Sequence, residues 1–242
     1  MAQNETGYAK NSGNFKLELE YCKSLDTGYN PTSNPRITIA AMQTLHVAGF
    51  TSLGEWVDAE NDWGIAVKTN EANYKLSKPK ATRINATAKS CGTTPEIYSK
   101  VKALCDIIRG WRLTAKPKPG TPEFDKAISS SHQSYDNLNR TWSQLEDLLS
   151  KIPEYQPDAS DITVAAINTY RQSLISTLAD DKEKFTIVLT KRNARNKIFD
   201  LIPTGICDVA QQAKDYIKGK FGASSFEYKH VAKIHFRRYP LT

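Results

Sequence analysis

The sequence contains none of the signatures on which a catalytic reading would rest. It has no Gly-x-Gly-x-x-Gly or Gly-x-x-x-x-Gly-Lys-[Ser/Thr] loop to cradle phosphates, and no Gly-x-Ser-x-Gly elbow to present a nucleophile. The four histidines, His46, His132, His230 and His235, include no His-Glu-x-x-His and no pair of Glu-x-x-His motifs such as a di-iron bundle uses. No zinc finger, aromatic RNA-binding signature or clear helix-turn-helix is present. The chain is therefore expected to be no enzyme and to hold no metal or cofactor.

Other absences bound its surroundings. No stretch approaches 18 consecutive apolar residues, which excludes a membrane-spanning helix. The opening "MAQNETGYAK" lacks a basic region followed by an apolar run, so it does not read as a secretory signal. Cys22, Cys91, Cys105 and Cys207 are widely scattered with no Cys-x-x-Cys spacing, and free buried thiols are expected. A cytoplasmic protein follows from these three readings.

What is present is length, polar helices and repetition. The 242 residues, 39% hydrophobic and 24% charged, suffice for a substantial core. "ITIAAMQTL" (residues 37–45) and "ITVAAINTY" (residues 162–170) agree at five positions, and each follows a Tyr-x-Pro, Tyr29-Asn30-Pro31 and Tyr155-Gln156-Pro157. Further on, residues 83–110 align without a gap on 192–219, placing Ile97 on Ile206, Asp106 on Asp215, Ile108 on Ile217 and Gly110 on Gly219. The same order of landmarks in both halves predicts an internal duplication.

Helical periodicity accounts for both halves. Tyr135, Leu138, Trp142, Leu145, Leu149 and Ile152 form one stripe ended by Pro153. Asp158 or Ser160 then caps a helix of about forty residues, roughly 60 Å at 1.5 Å per residue, whose stripe is Ile167, Tyr170, Leu174, Leu178, Phe185, Val188 and Phe199. A shorter helix carries Ile206, Val209, Ala213, Tyr216 and Ile217, with Gly219 at its C-cap. The first half answers with Phe15 to Leu25, then a helix begun by Asn34-Pro35 bearing Met42, Leu45, Leu53, Val57, Val67 and Tyr74. Thr94-Pro95 opens a third with Ile97, Val101, Leu104 and Ile108. Gly64 or Pro79 is expected to bend or break the first long helix. The tail "SSFEYKHVAKIHFRRYPLT" reads as a short capped helix followed by an extended end. Trp56 and Trp142 read as core residues and Trp111, beside Arg109 and Arg112, as an exposed ring.

The predicted architecture is all-α: tandem duplicated helical hairpins closing into a bundle of four long helices with pseudo-two-fold symmetry and short accessory helices. Residues 1–115 form the first repeat, 116–131 a Pro- and Lys-rich linker, and 132–242 the second repeat, packed together as one bundle. The combination of Tyr-x-Pro, "DITVAAI", "KRNARNK" and "AKDYIKGKFGASSFEYKHVAKIHF", with "SKPKATRINATAKSCGTTPEIYSKVKALCDIIRG", resembles an uncharacterised family of bacterial all-helical proteins with two related halves. The resemblance implies an all-helical fold and brings no activity, substrate or site residue with it.

The net charge of +7 conceals an alternation. Residues 1–75 have 6 Lys/Arg against 9 Asp/Glu, 76–118 have 10 against 2, 119–181 have 4 against 10, and 182–242 have 13 against 5. Part of this is helix electrostatics, acid near starts and base near ends. The sharper expectation is self-assembly, with a basic zone of Arg192, Arg195, Lys197, Lys218 and Arg237 meeting an acidic zone of Asp158, Asp161, Asp180 and Asp181 on another copy, and Trp111 as an anchor. The alternative is a non-specific nucleic-acid-binding protein using the basic helix ends, consistent with a sequence pI near 9.1.

Overall fold

The computed structural model describes residues 5–111 and 133–239. These form eight α-helices: α1 (Glu5–Ser24), α2 (Ile39–Lys75), α3 (Ser77–Ser90), α4 (Pro95–Arg109), α5 (Tyr135–Ser150), α6 (Val164–Asp200), α7 (Ile206–Phe221) and α8 (Phe226–Ala232). Short 3-10 turns lie at Asp26–Gly28, Pro35–Ile37 and Ser160–Ile162. Among the described residues there is no strand, and the protein is all-α. The predicted linker, 116–131, lies outside the described residues.

The two long helices begin alike, and the repeated Ile-Thr explains why. Neither Asn34-Pro35 nor Asp158 or Ser160 starts the α-helix itself. Pro35–Ile37 and Ser160–Ile162 form a 3-10 turn first, the former with Asn34 Oδ1 accepting from Arg36 N. The threonine that follows supplies the cap: Thr38 Oγ1 accepts from Ala41 N at 3.3 Å, and Thr163 Oγ1 accepts from Ala166 N at 3.2 Å. The tyrosine of each Tyr-x-Pro locks the same turn from below. Tyr29 Oη donates to Ile37 O at 2.7 Å and Tyr155 Oη to Ile162 O at 2.9 Å.

Both long helices run for 37 residues, about 55 Å. Gly64 lies inside α2 without interrupting it. The break falls instead at Leu76, between α2 and α3, so Pro79 sits in the first turn of a new helix, where its missing N–H costs nothing. Gly219 is likewise interior to α7, and the C-cap is Gly222 at φ 93°. Gly110, its aligned counterpart, does end α4, at φ 82° in the left-handed region.

The chain divides into two compact units. One comprises residues up to Trp63 and from Lys184 onward, the other Gly64–Glu183. The first closes on Phe15, Leu19, Met42, Phe199, Ile206, Val209 and Ile217. The second closes on Ile84, Val101, Ile108, Leu138, Trp142, Leu149, Ile167 and Leu174. Trp142 is fully buried, its Nε1 donating to Ser77 Oγ at 3.2 Å and its ring meeting the edge of Tyr170. Trp56 is also buried. Phe185 departs from its predicted core role and is 42% exposed, with its ring 5.1 Å from that of Trp63. In this unit α6 buries Val188, Arg195 and Phe199, and Phe185 stands about 60° around the helix from Val188 at 100° per residue.

Because each threonine cap satisfies an otherwise orphaned N–H, Thr38→Ala and Thr163→Ala are each expected to destabilise the protein by about 1 kcal/mol. The two losses sit in separate turns with no shared partner and should add in the double variant, as measured by urea unfolding.

Candidate functional site

The charges segregated along the sequence meet within each unit. Residues up to Trp63 carry 4 Lys/Arg against 8 Asp/Glu, and those from Lys184 carry 12 against 4. In that unit α6 reaches α2 through Lys191–Glu55 at 3.0 Å, Lys184–Asp62 at 3.6 Å and Arg192–Glu60 at 3.7 Å. In the other unit Arg83 grips both oxygens of Asp161 at 2.6 and 2.8 Å, Lys80 joins it at 3.3 Å, and Lys182 meets Asp136 at 2.9 Å. The hydrogen bonds from Arg83 are the main reason the Asp161 carboxyl is held below the usual carboxylate range. Such exposed pairs contribute little singly, about 0–1 kcal/mol. Their effect here is to cancel much of the alternation inside one molecule.

The ten residues singled out from the sequence therefore separate into two groups. Arg192, Asp161 and Asp181 are engaged internally, the last accepting from Asn70 Nδ2 at 3.4 Å. Arg195 is only 6% exposed, its guanidinium lying between the rings of Tyr8 at 4.4 Å and Trp56 at 4.2 Å and donating to Asn196 Oδ1. It belongs to the interior of its unit. Lys197, Lys218, Arg237, Asp158 and Asp180 are exposed and make no ion pair among the described residues. Trp111 is 58% exposed, with the Arg109 guanidinium 3.9 Å from its ring centroid.

Reactive chemistry finds little foothold. Burial pushes the thiols of Cys22, Cys105 and Cys207 up to about 12, which leaves them protonated and unreactive at neutral pH. All four cysteines are free. No cluster of His, Cys, Asp and Glu suited to a metal occurs among the described residues. A cleft of about 540 Å³ in the second unit is lined by Arg83, Ser90, Cys91, Glu154, Gln156 and Asp158.

The feature that sequence reasoning missed lies in the unit holding both chain ends. Asn11, Glu18, Asp200 and Lys214 are buried there between α1, α7 and the end of α6. Asn11 and Glu18 occupy the same stripe of α1 as Tyr8, Phe15 and Cys22, at steps of three and four. The stripe expected from Phe15 onward begins at Tyr8, and polar residues standing in an apolar register are its legible signal. Residues 234–239, in neither helix nor strand, run along these groups. Asp200 accepts from Tyr8 Oη at 2.8 Å and from Tyr239 N at 3.2 Å. Burial and that bond to Asp200 push the Tyr8 phenol up.

Glu18 is completely buried, and neither of its oxygens has a hydrogen-bond partner. Lys214 Nζ is the nearest cation at 3.8 Å. Desolvation pushes the Glu18 carboxyl up to about 8 against the partial opposition of Lys214, whose own pKa is lowered by burial. The folded state thus binds a proton that the unfolded chain releases near 4.5, so stability is full below that pH and declines as pH rises through about 8. Glu18→Gln should match the wild type near pH 4 and exceed it increasingly toward pH 9, in denaturant unfolding at each pH.

No helix among the described residues is long and apolar enough to cross a membrane. No protein-family model matches the chain, and neither does any curated protein or solved structure.

Proposed function

We propose that the chain is a non-catalytic structural or interaction protein of the cytoplasm, built from two tandem helical repeats, that associates with copies of itself through complementary charged zones. The observation that carries this reading is that five of the nine charged residues singled out from the sequence stay exposed outside any ion pair among the described residues. Lys197, Lys218 and Arg237 remain exposed in one unit, and Asp158 and Asp180 in the other. Like zones repel and unlike zones attract, so the favoured contact between two copies is head to tail, and such contacts propagate rather than close on themselves. Matching Tyr-x-Pro locks and threonine caps at the head of α2 and α6 support descent from one duplicated unit. Four unpaired thiols suit a reducing compartment.

Light scattering at about 50 mM and about 500 mM salt tests the association, since exposed charges are screened at the higher concentration. Species at low salt should be larger than those at high salt, and Lys197→Glu/Lys218→Glu/Arg237→Glu should remove that salt-dependent growth. A monomer at both salts and high protein concentration overturns the reading.

A second reading, binding to single-stranded nucleic acid, is favoured by aromatic rings set among cations. Phe226 is 76% exposed, Lys218 Nζ lies 5.5 Å from the Tyr228 ring centroid, and His230 stacks on Tyr21. Fluorescence anisotropy with a labelled oligonucleotide separates the two. Salt-sensitive binding lost on Phe226→Ala, with scattering unchanged, selects nucleic acid.

A further inference from the structure

The groove between α1 and α7 reads the main chain of an extended peptide, and the chain's own residues 234–239 fill it. Starting from the α8 end, Lys214 Nζ donates to Ile234 O, and Asn14 Nδ2 donates to His235 O at 2.6 Å. Asn11 then takes residue 237 on both sides: its Nδ2 donates to Arg237 O at 2.6 Å, and its Oδ1 accepts from Arg237 N at 3.0 Å. Asp200 Oδ1 receives Tyr239 N. Five of these bonds join a side chain of the body to a backbone group of the segment, the pattern by which an amide side chain imitates a neighbouring strand.

The groove is costly to leave empty. Asn11, Asp200 and Lys214 are more than nine-tenths buried, and buried polar groups without partners are penalised heavily. The segment supplies those partners. Side chains add register: Ile234 is buried, the Phe236 ring lies 4.7 Å from Lys214 Nζ, Arg238 pairs with Asp208 at 2.6 Å, and Tyr239 packs on Tyr8. At Gly7 the fit is so close that a Cβ would fall 1.8 Å from Tyr239 Oη.

We propose that this groove is an exchange site that accepts residues 234–239 of a second copy in place of the chain's own. The ligand shown to fit is this sequence itself, and a second copy carries it with equal complementarity. Nothing but chain connectivity distinguishes the two placements, because every bond described is remade in trans. The segment follows the seven-residue helix α8, whose one buried residue is Val231. When the exchange is one-sided, each copy fills its neighbour's groove and the assembly grows. The proposal rests on the self-association reading above, and supplies it with a contact that salt does not screen.

Sedimentation of the full chain at about 500 mM salt separates the two contacts, since charge-driven association is lost there. Exchange predicts a concentration-dependent dimer or larger species persisting at high salt, weakened about tenfold or more by Asn11→Ala and by Arg237→Pro, which deletes the N–H that Asn11 accepts. A groove variant, Asn11→Ala/Asn14→Ala, and a tail variant, Phe236→Ala/Tyr239→Ala, should each associate poorly alone and form a mixed species when combined. Monomers at high salt with no mixed species overturn exchange, while salt-sensitive association in the same samples leaves the charge reading standing. Binding of a labelled 233–242 peptide to the tail variant, without association between copies, also overturns it, since the groove then takes a free peptide and not a second chain.

Discussion

A polar group removed from water has to find its complement inside the protein, and the unit that holds both chain ends is organised by that demand. Asn11, Glu18, Asp200, Lys214 and Arg195 all lie in its interior. Arg195 is satisfied by two aromatic faces and Asn196, Asp200 by Tyr8 and the backbone of Tyr239, and Asn11 by both backbone groups of residue 237. Of these five, Glu18 has no hydrogen-bond partner at either oxygen, and it answers by holding its proton. The other unit makes a plainer bargain, with Trp142 at its centre and its charges mostly at the surface.

Charge follows the same logic on a larger scale. Acidic and basic stretches that lie far apart in sequence are brought together as Lys191–Glu55, Arg192–Glu60 and Arg83–Asp161. Stretches that look like surfaces awaiting another molecule are largely answered at home. Of the nine charged residues singled out, three bases in one unit and two acids in the other stay exposed outside any ion pair among the described residues, beside a Trp111 ring covered on one face by Arg109.

Much of the fold was legible because helices advertise themselves through apolar period. The stripe through Leu138, Trp142, Leu145 and Leu149 and the cap Thr94 stand where spacing puts them, whereas the cap expected at Gly219 falls at Gly222. Boundaries were harder, since the 3-10 turns before α2 and α6 use prolines and acids that resemble helix starts, and the true cap is the threonine inside the repeated motif. Phe185 followed the register of Leu178 on paper, but the buried face of α6 in its unit is set by Val188 and Phe199. Exposure of charged residues could not be read, because Arg195 and Lys197 look equivalent until Tyr8 and Trp56 enclose one of them. The α1–α7 groove was legible only as Asn11 and Glu18 standing in the apolar register of α1, because its partners lie over two hundred residues away and main-chain recognition leaves no pattern on their side.

The bidentate hold of Asn11 on residue 237 has an evolutionary corollary. An amide that grips only peptide atoms is blind to the side chain attached to them, so the outward-pointing positions of the tail are free to drift in charge and size while their anchorage stays constant. The constraint on side chains falls instead on Ile234, Phe236, Arg238 and Tyr239, which the body of the unit does touch.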